Sequence, residues 1–512
     1  MSIVIDDKKI IDINISNKNV QKIVDILTNK IIFEKTEPVS NEYFYIENTY
    51  NGSNTISLRT TIGSGNITGS HATQLQYSKD KETWTTITLS STNRIPMNSG
   101  EKVYFRNDSG SFNWYNSGKP EDKFYTHINC SNNHKVGGNI NTLLDYKNPN
   151  VTITPFCFYE LFYKNKYLTD ANELIFSKTS LAPYCYQYMF YDCTSLKTAP
   201  TELPATNLAP YCYHYMFYKC TSLTTAPALP ATTLVECCYQ FMFWGCTSLT
   251  VAPALPATTL ADSCYSQMFS NCSKLTTAPE LPAKTLAPYC YKDMFYGCTS
   301  LTTAPTELPA TTLASYCYDS MFYGCTSLTA APELPAPTLA SKCYRQMFQG
   351  CTKLTSAPTL PATNLADYCY SGMFRGCSKL TSAPTKLPAT NLTEGCYNSM
   401  FEGCSKLTTA PALPATNLAG YCYQYMFEGC SKLTTAPALP ATTLIYDCYR
   451  GMFQDCVSLN SITVYADDIS ALSCTSSWLY NVAATGTFRN LGSATYSRGY
   501  NGIPYDWTEV KN

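Results

Sequence analysis

The sequence predicts a mainly β chain with short helical turns, in which a solenoid of stacked coils follows a β-sandwich. Three observations predict it. From Cys185 to Cys456 one unit, Cys-Tyr-x-x-Met-Phe-x-x-Cys-x-x-Leu, recurs eleven times at a spacing of 26 or 27 residues. A fixed period of this length marks coils that stack on one another. Upstream, short alternating segments are separated by turn residues, as in a sandwich. Prolines recur after each unit, as at Pro200 and Pro204, and exclude regular helix from that part of the coil.

Residues 1–36 hold two apolar runs, around 10–15 and 23–33, and read as a small β-rich anchor module. Residues 37–150 read as the β-sandwich. There Ile56 and Leu58 share one face of a strand after an Asn51-Gly52 turn, and Leu75 and Tyr77 share one face of another. Gly137-Gly138 reads as a turn. Residues 151–485 are the solenoid, eleven full units with a cap at each end. In the first cap Cys157-Phe158 and Leu161-Phe162 repeat the frame, and Asn165 replaces the second cysteine. In the last, Cys474 lies 26 residues after Cys448, Trp478-Leu479 takes the Met-Phe place, and Val482 replaces the second cysteine. Residues 486–512 form a closing module.

Within a unit the recurring apolar residues, Tyr186, Met189, Phe190, Leu196, Leu203 and Leu208 in the first, should point inward. Residues 194–199 are the candidate parallel strand, and residues 184–191 the candidate helical turn. Burying these side chains does not offset the ordering of one whole coil, so a unit needs its neighbours to fold. Three units carry one extra residue between their prolines, between Pro200 and Pro204, Pro305 and Pro309, and Pro384 and Pro388. Such variation in length marks an outward turn.

Composition narrows the function. The net charge is −1 and only 14% of residues are charged, too few for a basic nucleic-acid face. No apolar run reaches the ~18 residues of a membrane span. The first residues lack the basic start and apolar core of a signal peptide, so the usual secretion route is not expected. Of the 26 cysteines, 22 occupy the two fixed repeat positions; the others are Cys130, Cys157, Cys237 and Cys474. They read as buried free thiols, since a small apolar residue can stack on its own copy in the next coil. The seven-residue gap between paired cysteines and the scattered histidines do not make a metal site, and no cofactor is expected. No catalytic constellation stands out. Asp467-Asp468 reads as a helix N-cap, His214 as an exposed variable residue, and Cys237 as a half-exposed thiol.

One outward column is distinctive. The residue after each Met-Phe runs Tyr191, Tyr218, Trp244, Ser270, Tyr296, Tyr323, then turns polar from Gln349 onward. Tyr191, Tyr218, Trp244, Tyr296 and Tyr323 are the candidate ligand-binding residues, because an aromatic stripe can stack on sugars or on a protein partner. The plainer reading is that these rings cover neighbouring coils.

The frame Met294-Phe295, Gly297-Cys298, Leu301 and Pro305 resembles that of BspA-like leucine-rich repeats, although this unit is longer and carries a second cysteine before the tyrosine. Its wording is similar to repeats of gut Bacteroides-type bacteria and their phages, including crAss-like phage virion proteins. The closing module resembles theirs through Gly486-Thr487-Phe488, Gly502-Ile503-Pro504 and Trp507. The resemblance implies a leucine-rich-repeat solenoid on a non-enzymatic surface protein. The favoured reading is a phage virion component assembled in the host cytosol, a head or tail fibre or decoration protein. It would bind a host-surface glycan or protein and join other virion proteins through its N-terminal region, with self-association into a homo-oligomer a further option. The alternative is a bacterial adhesin exported by another route.

Overall fold

The computed structural model describes residues 2–6, 9–16, 19–25, 30–34, 42–62, 74–89, 93–110, 112–115, 123–148 and 150–511. The first strands, β1 (Ser2–Asp6), β2 (Lys9–Ser16), β3 (Asn19–Asp25) and β4 (Lys30–Glu34), form an antiparallel meander in chain order.

A two-sheet sandwich follows, built from β5 (Phe44–Asn48), β6 (Asn54–Ile62), β7 (Gln74–Ser78), β8 (Thr85–Thr88), β9 (Asn93–Met97), β10 (Lys102–Arg106), β11 (Trp114–Tyr115), β12 (Lys123–Cys130) and β13 (His134–Asn139). One sheet has the order β11-β12-β6-β9. The other runs β13-β5-β10-β7-β8 and gains β14 (Leu168–Ile175), which pairs parallel to β13. Alternation works as the sequence indicated: Ile56, Leu58, Leu75, Val103 and Phe105 are buried between the sheets. Gly137 and Gly138 lie within β13 and make no turn. A Cβ on Gly137 would sit 2.4 Å from the Tyr45 hydroxyl, and Gly138 has a φ of 75° and a backbone on which a Cβ would fall 2.1 Å from the Tyr43 carbonyl oxygen. Here glycine serves close packing of strands.

β14 hands the sheet to the solenoid. Asp170 bridges Thr198 in parallel, Thr198 bridges Thr225, and Thr225 bridges Val251, coil upon coil. The strand expected over 194–199 is thus one residue wide. At the far end β15 (Ser461–Val464), β16 (Gly486–Asn490) and β17 (Trp507–Lys511) continue the ladder as a parallel sheet.

The cysteine-tyrosine segment is turned, but by β-turns and not by helix. Alternate N–H groups close tight turns: Gln187 donates to Tyr184 and Met189 to Tyr186 (both 3.2 Å). The N–H groups between them reach the next coil: Tyr186 donates to Cys212 (2.9 Å), Tyr188 to His214 (3.1 Å) and Phe190 to Met216 (2.9 Å). Every fourth residue is left-handed, as at Tyr184 (φ 60°), Tyr188 (59°) and Asp192 (57°). A positive φ at the third residue is what a type II turn demands. A helix would spend all these N–H groups internally and leave the coils unlinked.

Inside each coil the apolar column is continuous. The buried tyrosines stack in register, Tyr213 on Tyr239 at 5.7 Å, and the phenylalanines likewise, Phe217 on Phe243 at 5.5 Å. All 26 cysteines are free and buried. The second cysteine of each unit donates its thiol proton backward, Cys220 to the Phe190 carbonyl (3.0 Å) and Cys246 to that of Phe217 (3.1 Å). Cysteine fits because it is small and apolar and still supplies a weak donor.

Candidate binding face

Two of the left-handed turn positions, as at Tyr184 and Tyr188, and the residue just before a third, as at Tyr191 before Asp192, carry aromatic side chains over the first coils. Three parallel columns result. One, just before the first cysteine, stacks Phe156 on Tyr184 (4.6 Å) and Tyr184 on Tyr211 (5.0 Å). A second, just before each methionine, stacks Tyr188 on Tyr215 (5.1 Å) and Tyr215 on Phe241 (4.5 Å). The third is the stripe seen in the sequence. Tyr163 stacks on Tyr191 (5.0 Å), Tyr191 on Tyr218 (4.7 Å) and Tyr218 on Trp244 (4.6 Å). Edge-to-face contacts tie the second column to the third, Tyr188 to Tyr191 (5.6 Å) and Tyr215 to Tyr218 (5.2 Å).

Of the five candidate residues, Tyr191, Tyr218 and Trp244 therefore belong to one continuous stack. Ser270, which is buried, interrupts it, and Tyr296 and Tyr323 form a separate stacked pair (4.7 Å). Four of the five are half-buried, and Tyr296 is exposed. Because each ring covers its neighbour's face, the flank presents ring edges and hydroxyls. Burial pushes the hydroxyls of Tyr191 and Tyr218 up, and that of Tyr215 to about 12, so the face is neutral at physiological pH. Lys219 adds a positive rim, its ammonium 5.5 Å from the ring centres of both Tyr218 and Trp244.

The columns before the first cysteine and before the methionine were missed in the sequence. Their signal was present, since Tyr184, Tyr211, Tyr188, Tyr215 and Phe241 fall at variable repeat positions and are aromatic over the same coils. Toward the C-terminus the same flank becomes ionic. Arg375 pairs with Glu402 (2.7 Å), and Arg345 forks onto the fully buried carboxylate of Asp319 (2.9 and 3.1 Å).

Three other sequence readings are corrected. His214 is not exposed; it is buried, its Nδ1 lies 2.8 Å from the Gln187 amide, and burial lowers its pKa to about 3. Cys237 is buried, and burial pushes its thiol up, away from reactivity. Asp467 and Asp468 cap no helix. Asp467 accepts from the N–H (2.8 Å) and hydroxyl (2.7 Å) of Ser493, and Asp468 from the Ser470 N–H (2.9 Å). Both carboxyls are held below the ordinary range by these bonds.

The family model for the BspA-type leucine-rich repeat region matches residues 145–276, 184–329, 290–434 and 343–481, well over half of the chain. The chain belongs to the BspA-type leucine-rich repeat family. No curated protein matches it. Among solved structures it is similar to a leucine-rich repeat protein from Bacteroides ovatus, at 17% identity over 78% of this chain and 98% of that one, with a TM-score of 0.43. It is also similar to a leucine-rich cell surface protein from Faecalibacterium prausnitzii, at 19% identity over 69% and 92%, with a TM-score of 0.33. In BspA-type terms the Gly-Cys of the repeat is the left-handed residue that closes the turn, followed by the thiol that bonds the previous coil.

Proposed function

We propose that this BspA-type protein is a non-enzymatic surface attachment protein whose aromatic flank contacts a host-cell glycan or protein. The observation that carries this reading is the concentration of stacked Tyr, Phe and Trp rings on one flank of the first coils, fixed by backbone ladders beneath them. Pre-stacked rings lose little freedom on binding, so their edges and hydroxyls make a low-cost contact surface. Tyr191, Tyr218, Trp244, Tyr296 and Tyr323 are the proposed contact residues. The finer reading is a phage virion component, assembled in the host cytosol, that joins other virion proteins through its N-terminal region. The free cysteines support it, because a chain with 26 reduced thiols suits a reducing compartment.

The test is a variant with Tyr218, Trp244 and Tyr296 all replaced by Ala. Each ring contributes ~0.5–1.5 kcal/mol beyond its buried area, so attachment to host cells should fall about tenfold or more. Circular dichroism should show an intact fold. A variant that folds and attaches as well as the parent would sink the proposal. Mass spectrometry of purified particles tests the virion placement.

A further inference from the structure

We propose that the C-terminal cap carries a saccharide-binding recess for one neutral pyranose ring, built by Tyr480, Tyr500 and Tyr505. The recess is about 290 Å³ and is also lined by Val482, Pro504 and Asp506. Its tyrosines are unlike those of the flank. Tyr505 is 77% exposed, Tyr500 58% and Tyr480 50%, and Tyr480 meets Tyr500 edge-on (6.2 Å, 86°). Tyr480 is the cap's continuation of the stripe, following Trp478-Leu479 as Tyr191 follows Met189-Phe190, but its preceding neighbour in the stripe is Gln454, which offers no ring. Ring faces that are hidden in stacks along the flank are therefore open at the cap.

The loop that presents Tyr500 and Tyr505 is rigidly tied. Arg498 Nη1 donates to the carbonyls of Pro504 (3.1 Å) and Trp507 (2.7 Å). The Gly499 N–H donates to Ile503 (2.8 Å) and the Ile503 N–H to Ser497 (2.9 Å). Asn501 fastens the loop to the cap coil, its carbonyl accepting from the Thr475 hydroxyl and its side chain from the Ser477 N–H (both 2.9 Å). Glycine is required at position 502, where a Cβ would fall 2.0 Å from the Ser497 carbonyl oxygen. So many bonds holding two large rings in water are not explained by packing.

The ligand class follows from the lining. Flat apolar faces suit the C–H face of a sugar ring, and the tyrosine hydroxyls and the Asp506 carboxylate suit its hydroxyl rim. The volume sits at the small end of ligand sites and accepts one ring. Asp506 is the one charged residue of the lining, so acidic sugars are repelled.

The experiment is saturation-transfer NMR on the full chain with methyl β-glucopyranoside, methyl β-galactopyranoside, N-acetylglucosamine and glucuronate. At least one neutral sugar should be saturated at its ring protons, and glucuronate only weakly. Tyr505→Ala and the Tyr500→Ala, Tyr505→Ala pair should cut that signal about fivefold or more at an unchanged melting temperature. Tyr50→Ala, at an exposed tyrosine of the sandwich that belongs to neither the recess nor the flank, should leave it intact. Silence from every neutral sugar, equal signal in the tyrosine variants, or glucuronate saturated as strongly as the neutral sugars would each overturn the proposal. So would a chain that takes up no sugar yet loses a protein partner on Tyr505→Ala.

Discussion

Backbone handedness decides what each coil position tolerates. The residue before the second cysteine is left-handed in every unit. Gly245, Gly297, Gly324, Gly350, Gly376, Gly403 and Gly429 occupy it with φ of 69–74°, and Asp192, Lys219, Asn271 and Asp455 occupy it elsewhere. Around Gly376 there is room for a side chain, since its Cβ would lie 3.9 Å from the Gly350 Cα. The cost of Gly376→Ala is then conformational, ~1–2 kcal/mol. The same change at a right-handed surface position should cost far less. Denaturant titration of the full chain checks this, and an unchanged midpoint would mean that the turn relaxes. The Gly-Cys pair was legible in the sequence because it repeats as a word. The left-handed tyrosines were not, since nothing in Tyr184 or Tyr188 announces a positive φ. Only the ladder to the next coil, which takes every second N–H, forces it on them.

At the level of elements, the caps carry the chemistry that the repeats lack. Asn165 stands where a thiol would be and joins the first coil to the sandwich. Its amide donates to the Ile128 carbonyl (3.2 Å) and to His134 Nε2 (3.1 Å), while its oxygen accepts from the N–H groups of Tyr167 (3.2 Å) and Leu168 (3.1 Å). The other His134 nitrogen, Nδ1, donates to the Asn132 carbonyl (3.0 Å), which fixes a neutral ring. Burial lowers the His134 pKa to about 4. Above pH ~6.5 neither the folded nor the unfolded histidine is protonated, and its contribution is fully present. Below that value the unfolded chain takes up a proton that the folded ring refuses. The contribution is therefore lost as pH falls toward 4, by on the order of 3 kcal/mol. His214 acts with the same sign. Asp293 opposes it, because burial raises its carboxyl to about 6. Unfolding midpoints at pH 7 and pH 5 should show a loss that shrinks in His134→Gln. An equal loss in that variant would place the effect elsewhere. Asn165 was visible in the sequence as a departure from the repeat. His134 was not, because its partner lies 31 residues away across a junction that no local pattern encodes.

For the whole molecule, the consequence of a strict register is that coils are interchangeable. Each contacts its neighbours through the same ladder, so stability is close to a sum of coil and interface contributions. The period, the inward columns and the cap positions could all be read from the sequence, because a solenoid writes its third dimension as repetition. The tilt of rings against rings could not, and it decides that the flank offers edges and not faces. Deleting residues 264–289 tests both points. The deletion removes one period and joins Ser263 to Cys290, like to like. Cys298, whose thiol donates to the Phe269 carbonyl (3.1 Å), would find the Phe243 carbonyl in its place. The deletion also removes Ser270, the gap in the stripe. Trp244 should then stack directly on Tyr296 at the 4.6–4.7 Å seen between its neighbours, joining two stacks into one. The shortened chain should fold cooperatively, with far-UV dichroism per residue like the parent's. Its tryptophan emission should shift as Trp244 loses its water-facing side. A chain that aggregates would refute the interchangeability of coils. A folded chain with unchanged emission would refute the register of the stripe.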